Sequence, residues 1–147
     1  MVGTLLEEPV IFMMRGIGWN ILVKSMRILR FLSLKNTAAW MQAVFGWRIR
    51  WQGPALENGF TLHIGTEAQY LALYCPADLQ KTSSDPHGFL GGLNHMGVCV
   101  RDLVACDARA KKVGFTPREH AVYEPGSRFY FCDFDRIEYE VVSYSFE

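Results

Sequence analysis

The sequence predicts an α+β fold built from two tandem β-α-β-β-β modules. Two observations carry this. The second half of the chain reads in that order. Met96, Val98 and Val100 alternate with His95, Gly97 and Cys99 as a half-buried strand. Leu103–Val113 is helical in pattern, with Asp102 placed to cap it and Gly114 to stop it. Residues 115–122, 128–132 and 137–143 then read as strands. The first half repeats this order. Ser33-Leu34 falls on Asp102-Leu103, Gly46-Trp47 on Gly114-Phe115, and Tyr70-Leu71 on Tyr139-Glu140, at offsets of 68 or 69 residues. Met26 then falls on His95.

Composition limits the function classes. The chain has 147 residues, enough for one domain with a real core. Lys and Arg number 15, Asp and Glu number 15, and the net charge is zero, so no basic face for nucleic acid is expected. The apolar stretch 10–23 is interrupted by Arg15, Gly16, Gly18 and Asn20 and is too short to span a membrane. Glu7 and Glu8 precede it, where a secretory signal would carry positive charge. Cys75, Cys99, Cys106 and Cys132 are dispersed without C-x-x-C spacing. They are read as reduced thiols, which suits a cytoplasmic protein.

Taken in order, residues 1–25 form an N-terminal extension, 26–76 the first module, 77–92 a polar linker and 93–147 the second module. In the first module, 26–34 is the first strand. Asn36 or Thr37 caps a helix over 37–45, which Gly46 ends. Residues 47–52 alternate as a strand, Gly53-Pro54 and Glu57-Asn58-Gly59 are turn chemistry, and 60–64 and 69–74 are the last two strands. An alternative register makes 18–26 the first strand, setting Gly18 opposite His95, but it requires an insertion that the constant offset does not.

In each module the helix must cover one sheet face, so the apolar parity of each strand packs on it and the other parity lines a hollow. In the second module the hollow receives His95, Gly97, Cys99, Glu138, Glu140 and Val142. In the first it receives Met26, Ile28, Arg30 and Leu32, with Gln69, Leu71 and Leu73 from the last strand. Trp40, Phe45, Trp47 and Trp51 are assigned to core or to a dimer interface. Of the adjacent pair Tyr130 and Phe131, only one faces the hollow. His87 and His120 lie in loop-like, solvated surroundings.

These residues resemble the vicinal oxygen chelate superfamily, which includes glyoxalase I, bleomycin-resistance proteins and extradiol dioxygenases. The stretch 93–103 carries the resemblance. So does 129–141, which is similar to the family's F-x-D-P-D-G-x-x-x-E ending, and so does 37–47, which is similar to its helix end. The resemblance covers 26–147 and implies that the curved mixed sheets pair around a cleft and that the chain forms homodimers. Arg136 departs from it, standing where the family has glycine.

The resemblance also implies a divalent metal held from the first and last strands of both modules. The matching positions here are Met26, Leu71, His95 and Glu140, of which only His95 and Glu140 are typical ligands. A catalytic metal needs about three protein ligands. The leading expectation is therefore a cofactor-free protein that binds a small, partly apolar molecule. Arg30, Gln69, Leu71, Cys99 and Glu138 are its candidate contacts. The alternative is a lyase, isomerase or dioxygenase dependent on Ni, Zn, Mn or Fe, with His95 and Glu140 as ligands and Glu140 moving the proton. A partner chain or the extension would complete such a set; within the first module His63 could, although no spacing rule places it there. Glu140 would otherwise pair with Arg30 or His95, since a buried carboxylate needs a partner.

Overall fold

A computed structural model describes residues 28–79, 86–88 and 90–144. The elements run β1 (Ile28–Arg30), α1 (Leu34–Phe45), β2 (Arg48–Pro54), β3 (Phe60–Gly65) and β4 (Tyr70–Cys75). A short 3-10 turn, Pro86–Gly88, precedes β5 (Met96–Cys99), α2 (Leu103–Val113), β6 (Arg118–Tyr123), β7 (Gly126–Cys132) and β8 (Glu138–Tyr144). The two four-stranded sheets have the orders β1-β4-β3-β2 and β5-β8-β7-β6. In each, the first strand lies parallel to the last and the other pairings are antiparallel. This is the expected α+β tandem of β-α-β-β-β modules. Met26, Gly18 and the extension 1–25 lie outside the described residues.

Both helices begin on a side-chain cap. Asp102 accepts from the Ala105 N–H at 2.8 Å, and Ser33 accepts from the Asn36 N–H. The first helix thus starts earlier than residue 37. Ser33, the repeat partner of Asp102, takes the cap, and Thr37 is buried inside the first helical turn. Gly46 and Gly114 close the helices at φ 72° and 106°, where a side chain would be strained. Phe115, expected at the start of a strand, is instead a core residue between α2 and β6.

The modules meet through α1 and α2 and share one core. Trp40 is its centre. Its ring packs edge-on against Phe115, Phe131 and Tyr139 of the second module, at centroid distances of 5.2, 5.8 and 5.2 Å. Arg109 Nε of α2 donates to the Val44 carbonyl of α1 at 2.7 Å. With the helices between the modules, the opposite face of each sheet is left for the hollow.

The strand pairings set which residues share that face, and they correct the first-module assignment. Ile28 pairs Ala72 as Gly97 pairs Glu140, and His63 pairs Ala72 as Tyr130 pairs Glu140. Ala72, not Leu71, is therefore the counterpart of Glu140, and Tyr70 is the counterpart of Glu138. Leu71 and Leu73 pack on the core side, and Gln69, of the same parity, sits in the β3–β4 turn. The cause is loss of the constant offset. Helix α1 has 12 residues and α2 has 11, and the path from helix end to the position that pairs His63 or Tyr130 is again one residue longer in the first module, Gly46 to Trp51 against Gly114 to Arg118. The β7–β8 turn, one residue longer than the β3–β4 turn, restores one of the two, so one residue of slip remains at β4. A slip of one residue turns a strand's side chains to the other face.

Candidate functional site

The second sheet carries the denser chemistry. Phe129, Phe131, Tyr139 and Val141 are fully buried on the helix side. Strict alternation therefore turns Arg128, Tyr130, Glu138 and Glu140 to the hollow. Because β8 lies between β5 and β7, Glu140 has donors on both flanks. Its Oε1 accepts from Arg128 Nη1 at 2.7 Å and from the Tyr130 hydroxyl at 3.0 Å, and its Oε2 faces His95 Nε2 at 3.1 Å. Glu138 accepts from Arg118 Nη2 of β6 at 2.6 Å, with His87 Nε2 at 3.8 Å. The Arg128 guanidinium also lies 4.1 Å from the Tyr123 ring centroid, a cation–π contact.

These contacts shift the groups that make them. Burial opposes the charge on Arg128, but the hydrogen bond and charge of Glu140, together with Tyr123 and Tyr130, outweigh it and raise its pKa. Burial, reinforced by Glu140, pushes the Tyr130 phenol up to about 12, so it stays a neutral donor. Next to Glu140, Gly97 is exposed, and a Cβ built there would meet nothing within 4 Å. The sheet surface beside Glu140 is thus open.

The first sheet presents aromatic surface on the matching face. His63 stacks on Tyr70 at 4.6 Å and packs against Trp51 at 5.2 Å. Trp51 is half exposed, so of the two assignments the sequence allowed, core or dimer interface, the core does not hold for it. Ile49 and Phe60 of the same sheet are also exposed.

Most sequence-expected residues of the second module come together. His95 and Glu140 are in contact, Glu138 is beside them, and Cys99 lies on the same face of β5. The first-module set does not join them. Arg30 is exposed on β1, and the cation that pairs Glu140 is Arg128 of its own sheet. His120 is exposed as expected but lies in a strand, not a loop: it sits in β6 and bonds Asp107 of α2 at 2.8 Å. Arg118, Arg128 and Tyr130 were missed as site residues. The signal was present in β7, where Arg128 and Tyr130 alternate with two phenylalanines.

The donor set does not fit a resident catalytic metal. Among the described residues no group of three His, Cys, Asp or Glu side chains converges. Alanine stands at the first-module counterpart of Glu140. Both oxygens of Glu140 already face protein donors, one of them a guanidinium that would repel a cation. His95 has both ring nitrogens engaged within the protein, one facing Asn94 Oδ1 at 2.6 Å and the other Glu140 Oε2 at 3.1 Å. Nor is Cys106 a nucleophile: it is fully buried, and burial pushes its thiol up to about 11.

No protein-family model and no curated protein matches the sequence. Solved structures do resemble the chain. A glyoxylase/bleomycin resistance protein/dioxygenase domain from Frankia sp. EAN1pec has a TM-score of 0.71 at 18% identity, over 82% of this chain and 96% of that one. A glyoxalase family protein from Enterococcus faecalis has a TM-score of 0.62 at 15% identity, over 81% and 94%. The fosfomycin resistance protein FosX from Listeria monocytogenes, in complex with Mn(II) and sulfate, has a TM-score of 0.61 at 16% identity, over 84% and 92%. At these identities the likeness concerns the fold alone, which is shared with these glyoxalase-like and fosfomycin-resistance structures.

Proposed function

We propose that the protein binds a small, partly apolar molecule in the hollow of the second sheet, without a resident metal. The observation that carries this reading is the state of Glu140. The carboxylate that would be a ligand or a base is held by Arg128, Tyr130 and His95. A few convergent polar groups beside open space are what orient a small ligand. Gly97 supplies the space. The exposed aromatic face of the first sheet supplies an apolar wall, and in this reading it comes from a second copy of the chain, as a homodimer. The four cysteines, all free, suit a reducing, cytoplasmic setting. No helix among the described residues is long and apolar enough to cross a membrane.

The first test is the metal content of protein purified without chelator, with thermal shifts in Ni²⁺, Zn²⁺, Mn²⁺ and Fe²⁺. The expected result is substoichiometric metal and no shift. Near-stoichiometric metal lost in Glu140→Ala would overturn the reading in favour of a metal-dependent lyase, isomerase or dioxygenase. The second test is Gly97→Leu. It fills the floor of the hollow in a strand where φ needs no glycine. It should abolish ligand-induced melting shifts while changing the melting temperature of the free protein by no more than the equivalent of about 1 kcal/mol.

A further inference from the structure

The hydrogen-bond balance of this site is not closed. Arg118, Arg128, Glu138 and Glu140 balance in charge, yet donors outnumber acceptors. Arg128 uses Nη1 on Glu140, while its Nε and Nη2 are buried with no partner. Arg118 Nη1 is also buried without a hydrogen bond, its neighbour Glu119 lying 3.6 Å away. Buried polar groups are nearly always satisfied, and an orphan pair at a candidate site marks a missing acceptor. The two free nitrogens of Arg128 are also the side-on edge of the guanidinium. They present two parallel N–H bonds, the arrangement that takes both oxygens of a carboxylate or a phosphoryl group.

We infer that Arg128 anchors the oxyanion group of the ligand through Nε and Nη2, and that the ligand is a small organic acid. The inference rests on the binding reading above and names its ligand class. Glu140 and the oxyanion occupy different edges of one planar cation, so the cation lies between the two negative groups. Arg118 Nη1, from the adjacent strand, offers a further donor on the same face. Tyr123 lies against the guanidinium and is half exposed. The apolar part of the ligand then lies over Gly97.

The test is titration of the full-length protein with benzoate, phenyl phosphate and the neutral isostere benzamide. Calorimetry gives the affinity, and nitrogen-15 spectra report the arginine Nε–H signals. Benzoate or phenyl phosphate should bind at least about tenfold more tightly than benzamide and move the Arg128 Nε–H resonance. Whichever acid binds better identifies the group as carboxylate or phosphoryl. Arg128→Lys, which keeps the charge and loses the two-bond edge, should weaken the acid about tenfold or more and leave benzamide unchanged. The spectrum of the unsubstituted protein carries the test if that variant fails to fold. Equal binding of benzoate and benzamide, or acid binding that leaves the Arg128 signal in place, would overturn the inference. If benzamide alone binds and perturbs Tyr130 and Gly97, the inference falls and the binding reading stands. If no probe binds and the protein holds stoichiometric Mn²⁺, both fall.

Discussion

The two sheets present the same backbone surface with different chemistry. Where the second has Arg118, Tyr130, Glu138 and Glu140, the first has Trp51, His63, Tyr70 and Ala72. One face is a network of ion pairs flanked by histidines, and the other is an aromatic platform. The difference teaches that a repeated fold does not repeat its site. The first face lacks the carboxylate that a symmetric metal centre would need. The second has a carboxylate already bonded to its neighbours. Side chains able to make direct hydrogen bonds are concentrated on the second face, and apolar surface on the first.

The comparison breaks most sharply at Arg128. Its side chain and that of Glu140 are largely withdrawn from water, at 11% and 15% exposure. Removing one partner of a buried pair leaves the other charge poorly compensated. Arg128→Met should therefore destabilise the fold by about 3 kcal/mol, read from urea unfolding. Restoring apolar balance with Arg128→Met and Glu140→Gln together should recover at least half of that loss. A single-variant loss as small as a surface substitution, under about 0.5 kcal/mol, would mean that the network is solvated and no more structural than the aromatic face.

A second contrast lies in the turns that feed the last strands. In the first module Thr66 receives the Gln69 N–H on its hydroxyl at 3.2 Å. In the second, Asp133 receives the N–H groups of Asp135 and Ile137, both at 2.9 Å, and the turn carries Arg136 at φ 67° where a glycine would be unstrained. Asp133 is buried, and burial raises its carboxyl from 3.8 to about 6. The folded pKa is thus above the unfolded one. The contribution of this group is fully present below about pH 4 and is lost as pH rises through about 6. Asp133→Asn keeps the accepting oxygen and removes the titration. Relative to the unsubstituted protein it should gain up to about 2 kcal/mol between pH 4 and pH 8. Parallel stability curves for the two proteins across that range would exclude a raised Asp133.

How much of this could be read beforehand depended on strand register. The second module was legible because its strands alternate strictly. Tyr139 and Val141 against Glu138 and Glu140 leave one choice of face, and Met96 and Val98 place His95 and Cys99 with them. The first module was misread at Leu71 because a single offset was carried from Ser33 to the end of β4. Its strand, Tyr-Leu-Ala-Leu-Tyr-Cys, is apolar throughout and offers no polar residue to reveal the slip. The Arg128–Glu140 pair was hidden for another reason. The two residues are twelve apart in sequence, and their contact follows from β7 lying beside β8. Parity names the face a residue is on. It does not name its neighbour across the sheet.

The smallest effect on the fold, and the one that best sharpens the contrast, is expected at Trp51. This residue is half exposed at the position where the second sheet has Arg118. Trp51→Arg gives the first face the second's residue. Little packing is lost within the chain, since the indole rests on His63, at 5.2 Å, and on Gly53 while half of it faces solvent. Unfolding free energy should change by no more than about 1 kcal/mol. If the aromatic platform faces a second copy, the same substitution places a charge in an apolar contact. The dimer measured by analytical ultracentrifugation should then weaken by about tenfold or more. A dimer of unchanged affinity would mean that the platform is free in solution, and the apolar wall of the hollow would have to come from elsewhere. A comparison variant, Trp40→Ala, removes a tryptophan that bridges the two modules inside one chain. It should cost the fold about 4 kcal/mol. The pair separates aromatic surface that holds the chain together from aromatic surface kept for contact.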